Sequence, residues 1–214
     1  MGYKMISKTK NLAIALTGFA LFFSSLCGGE FENLPPEYCI AFGNPQAPVK
    51  LIEYFSLSCP KCLSLLKRDF LHFREKYVDS DQVFWVLHPD PADLLTLQFI
   101  ECLEKLSEKE KRVFFDWLLA TLPKKPSKKI LFQMQQVLEE WGRPLPYLYD
   151  LEFMEKTKTF QVAFAYVKQN EAPKEIPTIS INGHLKEDFP TSSFIEKEIQ
   201  QALKNATLHQ GEKP

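Results

Sequence analysis

Apolar and polar positions change period several times along the chain, and each change marks an element. "VKLIEYF" (49–55) alternates and is rich in strand formers, which predicts a strand; "YCIAF" (38–42) is a candidate strand before it, across the turn-forming "GNPQAP". From Cys62 the apolar residues Leu66, Phe70, Phe73 and Tyr77 follow at helical spacing, one face of a helix. "QVFWVL" (82–87) predicts a second strand, so strand, helix and strand form a parallel, right-handed βαβ unit. Between Pro89 and Glu175 the pattern is helical almost throughout. Its stripes are Leu95, Phe99, Cys102 and Leu106; Val113, Trp117 and Ala120; and Ile130, Met134, Val137 and Trp141, with Gly142 a stop and Pro144 and Pro146 opening a further stretch. "TISINGHL" predicts two strands joined at an Asn182-Gly183 turn. Ser193 with Glu196 reads as a capping box for a last helix to about Leu203.

The segment before all this differs in kind. Lys4, Lys8 and Lys10 precede an uncharged run from Leu12 to Leu26, then "SSLCGG", the layout of a secretory signal. The run is shorter than the ~20 residues of a membrane span. Cleavage is expected near Cys27 to Gly29. Cys27 also stands where a lipoprotein carries its lipidated cysteine, although "SSL" departs from the usual preceding pattern. The expected organisation is therefore a signal peptide over 1–29, a first part of an α/β domain over 30–88, a helical insertion over 89–172, a second part over 173–206 and a tail over 207–214. The chain has 214 residues, 45% hydrophobic and 13% aromatic, enough for a real core. Its formal charge of −1 lacks the clustered basic surface that nucleic acid requires, and Lys124, Lys125, Lys128 and Lys129 read as a solvated loop.

Composition sharpens the chemistry to "FSLSCPKCLSL" (55–65), where Cys59 and Cys62 lie between a strand and a helix. A structural zinc site needs a second pair or spaced histidines, and His72, His88, His184 and His209 show no such spacing, so no metal is expected. Cys59 falls at a helix start, where unpaired N–H groups and the dipole stabilise a thiolate. Cys62, one turn in and on the apolar stripe, is shielded yet within reach. That asymmetry separates an attacking from a resolving sulfur. Pro60 stiffens the turn; Lys61 either adds positive charge beside the thiolate or is simply solvated. An address outside the cytosol lets disulfides persist. Cys39 and Cys102 are expected to be buried free thiols rather than a structural disulfide, and His88 a strand-end residue rather than a catalytic one.

"APVKLIEYFSLSCPKC" resembles the active-site strand and turn of DsbA-like thiol-disulfide oxidoreductases of the thioredoxin superfamily, and "EIPTISING" resembles their cis-proline loop and following strand. The resemblance covers nearly all of the chain after the signal. It implies a thioredoxin-like α/β fold, with a central mixed sheet and an inserted all-helical subdomain. It implies Pro177 as the cis-proline facing a redox-active Cys59–Cys62 disulfide. Ile176 becomes the residue whose backbone pairs with substrate, beside contacts from Pro60 and Lys61, and Glu53 a buried acid that accepts or relays the Cys62 proton. The alternative for Glu53 is an edge or solvent-facing strand acid. Two positions depart from the family: Lys61 stands where the well-known oxidases carry His, and Glu175 where Gly is often found.

The function expected is exported, periplasmic thiol-disulfide exchange on protein substrates, in the direction of disulfide formation, by a monomer without a separate cofactor and with a membrane redox partner. The same pair would serve a reductase or, less readily, an isomerase. A noncatalytic binding or metal-delivery module on the same scaffold is the rival from another class.

Overall fold

In the computed structural model the described residues are 39–122, 129–169, 175–186 and 189–211. The signal and Cys27, the lysines at 124, 125 and 128, the insertion boundary at 172 and the last three residues lie outside them. Five strands form one sheet in the order β1-β3-β2-β4-β5, with β1 Ile40–Phe42, β2 Val49–Phe55, β3 Val83–Pro89, β4 Thr178–Ile181 and β5 His184–Leu185. β2 and β3 are parallel, and the other three pairings are antiparallel, giving the mixed sheet expected. The hairpin turns on Asn182 (φ 49°) and Gly183 (φ 80°), the two consecutive positive values that an Asn-Gly turn supplies.

Helix α1 (60–78) alternates α segments, Pro60–Leu65 and Leu71–Phe73, with π turns, Leu66–Phe70 and Arg74–Val78. Cys62, Leu66, Phe70, Phe73 and Tyr77 recur at spacings of four, four, three and four, and all five side chains are buried. Phe70 and Phe73 meet Trp85 of β3 at 5.6 and 5.7 Å between centroids.

The insertion comprises α2 Leu94–Glu104, α3 Glu108–Thr121, α4 Lys129–Glu140, a 3-10 turn Pro146–Tyr149, α5 Leu151–Met154 and α6 Lys158–Gln169; α7 Ser192–Gly211 closes the fold. α4 ends in a Schellman motif: Arg143 N–H donates to Leu138 O (2.7 Å), Gly142 N–H to Glu139 O (3.0 Å), and Gly142 takes φ +68°. Phe115 of α3 packs on Phe42 (5.1 Å) and Phe70 (5.2 Å), joining insertion and sheet in one core.

Three sequence expectations shift. In α3 the buried stripe is Phe114, Phe115, Leu118 and Leu119, while Val113 is 51% exposed and Ala120 is exposed, because the bulkier set turns inward. The last helix is capped by Thr191, whose hydroxyl accepts from Phe194 N–H (3.3 Å), not by Ser193. Glu196 instead accepts from Lys76 and Tyr77, and the helix runs past Leu203 to Gly211.

Gly43 links β1 to the turn before β2 at φ +92°, where an added Cβ would lie 2.7 Å from Val83 O and 2.9 Å from Val78 Cγ1. Left-handed strain and overlap with backbone act together, so Gly43→Ala is expected to cost about 2–5 kcal/mol. Urea unfolding measures this as a lower midpoint with an unchanged slope.

Candidate active site

β2 leads directly into the site. Beyond Phe55 the chain turns through Ser56, Leu57 and Ser58, with Cys59 N–H bonded to Ser56 O (3.2 Å), and Cys59 becomes the N-cap of α1 in extended conformation (φ −97°, ψ 112°). Pro60 occupies the first helical position, where a missing N–H costs nothing. Cys59 Sγ accepts from Cys62 N–H at 3.2 Å, so the cap is a sulfur.

Cys62 is completely buried. Burial first, then its contact with Cys59, pushes its thiol well above the ordinary range, and the Glu53 carboxyl adds to the effect. Both cysteines are reduced in this structure. The Ile176–Pro177 bond is cis, Pro177 is buried, and Cys59 Sγ lies 3.9 Å from Ile176 O, which brings residues 117 positions apart to one sulfur. Lys61 is exposed, and its ammonium sits over the ring of Phe189, 5.2 Å from the centroid. Glu175 is exposed at the entry to the loop, with its carbonyl accepting from Thr178 Oγ1 (2.7 Å).

Glu53 is neither an edge nor a solvent-facing acid: it has no exposed surface, in a strand bonded on both sides. Neither carboxyl oxygen has a hydrogen bond of ordinary geometry, and burial pushes its pKa up to about 8, partly offset by the Trp85 indole. His88 at the end of β3 stacks on Tyr54 (4.9 Å), bonds through Nδ1 to Pro89 O (2.9 Å), and is driven by burial down to about 4, a neutral structural residue. Cys102 is buried in the main core. Cys39 is only half-buried, short of the full burial expected, in the two smaller clusters; burial pushes its thiol up to about 12, and the two are not bonded. Among the described residues no group of three or more His, Cys, Asp or Glu could hold a metal ion.

Sequence reasoning missed Asp93, the N-cap of α2, which accepts from Ser56 Oγ (2.6 Å) and Ser58 Oγ (2.7 Å) in the turn before Cys59. An Asp immediately before an apolar helical run was the visible signal. Phe189 was missed too, since nothing local ties it to Lys61.

A sequence model of the family described as thioredoxin matches residues 37–204. The chain belongs to the thioredoxin family. No curated protein sequence matches it. Among solved structures, Wolbachia pipientis alpha-DsbA1 is similar at a TM-score of 0.65 with 17% identity, covering 84% of this chain and 98% of that one. Oxidised BdbD from Bacillus subtilis gives 0.57 with 17% identity over 77% and 92%, and a protein-disulfide isomerase from Novosphingobium aromaticivorans 0.56 with 13% over 78% and 97%. At such identities the likeness is one of fold, and this thioredoxin-family chain has the DsbA-like form of it, with helices inserted after β3.

The raised Glu53 group has a thermodynamic consequence. Between the ordinary value of 4.5 and about 8 the folded chain holds a proton that the unfolded chain has lost, so stability falls as pH rises through that window. Relative to Glu53→Gln, the wild type is expected to lose up to about 1.4 kcal/mol per pH unit there and to level off above it. Denaturation of both proteins from pH 4 to 9 checks this, and the difference cancels the opposing slope of His88, which costs stability as pH falls from about 6.5 to about 4.

Proposed function

We propose that this chain is an exported thiol-disulfide oxidoreductase that forms disulfides in protein substrates through Cys59 and Cys62. The observation that carries the reading is the inequality of the two sulfurs: Cys59 Sγ is half-buried at a helix start and bonded to Cys62 N–H, while Cys62 is buried and kept as a thiol. A dithiol form stabilised in this way makes the disulfide a good oxidant.

In the cycle a substrate thiolate attacks Cys59 Sγ of the enzyme disulfide. The Cys59–Cys62 bond breaks, a substrate–Cys59 bond forms, and Cys62 leaves with the electron pair and takes a proton. A second substrate thiolate then attacks the substrate sulfur of the mixed disulfide and expels Cys59 as thiolate. Two electrons pass from substrate to enzyme, and a membrane redox partner of the quinone-linked kind removes them again. Glu53 is an acid whose charge bears on Cys62 and which holds a proton near neutral pH, which suits it to protonate the departing sulfur and to reclaim the proton on reoxidation. The Ile176 carbonyl beside Cys59 suits pairing with an extended substrate segment across the Pro177 loop. Pro60 and Lys61 flank the same surface. The periplasm is the proposed location, on the strength of the signal layout, and the protein works there as a monomer.

The decisive experiment is the equilibrium of the Cys59–Cys62 pair with glutathione, read beside oxidation of a dithiol peptide and reduction of insulin. A strongly oxidising pair with rapid peptide oxidation is expected; a strongly reducing pair with efficient insulin reduction overturns the direction. Cys59→Ser is expected to lower either activity by at least about 10³-fold, and Cys62→Ser to accumulate mixed disulfides with substrate on a nonreducing gel. Full activity in Cys59→Ser would sink the redox reading altogether.

A further inference from the structure

The turn that carries Cys59 is held from outside the thioredoxin core. Ser56, Leu57 and Ser58 are the only residues between the last residue of β2 and the nucleophile, and each is bonded to the first turn of α2, 35 to 39 positions later. Asp93 Oδ2 accepts from Ser56 Oγ (2.6 Å), Ser58 N–H (3.2 Å) and Thr96 Oγ1, and Oδ1 from Ser58 Oγ (2.7 Å) and Leu95 N–H (3.2 Å). Thr96 Oγ1, having given its proton to Asp93, accepts from Leu57 N–H at 2.7 Å. Ser56 Oγ likewise accepts from Ser58 N–H at 2.9 Å. Ser56 and Thr96 are buried, so these hydroxyls have few other partners. Asp90 N–H also donates to Phe55 O (2.8 Å), which fixes the end of β2 against the same segment.

A helix cap needs one or two of these bonds; the rest point at the active-site turn. We propose that Asp93 is a positioning residue for the nucleophile. It clamps residues 56–58 so that Cys59 Sγ stays on the helix start with Cys62 N–H directed at it. The inference rests on the redox reading above. The Asp93 charge is spread over five donors and reaches Cys59 only across the Ser58 backbone, so position rather than charge is what its loss removes.

Asp93→Asn keeps the size of the side chain but places two hydrogens where hydroxyl protons now point. Two readouts on the folded, full chain isolate positioning from stability: the rate of Cys59 alkylation by iodoacetamide at fixed pH, and the ratio [GSH]²/[GSSG] at half-oxidation of the pair. Alkylation is expected to slow at least about fivefold and the half-oxidation ratio to rise at least about fivefold, because the dithiol form loses stabilisation. Asp150→Asn is the control. It removes a helix cap in the insertion, where Asp150 Oδ1 accepts from Phe153 N–H (3.1 Å), and is expected to move neither readout.

Smaller changes in Asp93→Asn, faster alkylation, or equal effects in Asp150→Asn overturn the proposal and leave Asp93 an ordinary cap or a local charge. Should Asp93→Asn fail to fold, Ser58→Ala removes one exposed hydroxyl and is expected to shift both readouts the same way by at least about twofold, with no shift overturning the proposal. A wild-type pair that exchanges with glutathione while the variant matches it overturns only the role of Asp93; a wild-type pair inert to glutathione overturns the redox reading with it.

Discussion

Strand β2 is bonded on both edges, to β3 in parallel and to β4 in antiparallel register, and the chemistry of the molecule hangs from its C-terminal end. Four residues beyond Phe55 stands Cys59. Glu53 lies two residues before that end, and its register partner in β4 is Ile179, two residues after the cis-proline, so the Pro177 loop is delivered to the cysteine turn by the pairing itself. A one-residue slip in that register would turn Glu53 to the opposite face of the sheet and carry the loop out of reach. The apolar residues Leu51 and Phe55, on the same face as Glu53, are buried in the main core, while Ile52 and Tyr54 are buried on the opposite face.

Two acids near the nucleophile show how environment divides one functional group into two. Asp93 is well buried, which opposes its charge, yet hydrogen bonds from Ser56, Thr96 and Ser58 win and hold its pKa below the usual carboxylate value. Glu53 has only the Trp85 indole set against burial, so burial wins and the group is mostly protonated at neutral pH. The first acid is a fixed acceptor that organises a turn. In the proposed cycle the second is a store for one proton beside a sulfur that gains or loses one.

Local patterns were legible wherever a single element decided the outcome. β2, the stripe on α1, the Asn182-Gly183 turn and the Gly142 stop depend on residues close in sequence, and the alternation, spacing and positive-φ preferences that govern them are local. Long-range competition was not legible. Which face of α3 turns inward depends on what Phe115 meets, namely Phe42 and Phe70, and no periodicity within α3 separates that stripe from its neighbour. Thr191, not Ser193, caps the last helix, and Glu196, which local pattern would assign to the cap, is engaged by Lys76 and Tyr77, more than 110 positions away. The cysteine pair was visible as a motif; its suspension from Asp93 was not, since the bonds cross from one part of the fold to the inserted one.

The buried acid and the buried thiol explain each other. In the proposed cycle exchange at Cys59 moves an electron pair onto Cys62, and a thiolate in that fully buried position would stand uncompensated, since the helix start and the Cys62 N–H face Cys59. The Glu53 carboxyl, which disfavours a second negative charge while ionised, ceases to do so once it holds a proton and becomes a donor instead. With a pKa of about 8 it holds a proton at neutral pH, close enough to titration for the proposed cycle to draw on it. A carboxylate with an ordinary pKa in the same place would oppose every turnover. In the proposed cycle the cost in stability of burying Glu53 is therefore the condition under which Cys62 leaves and returns within a dry core.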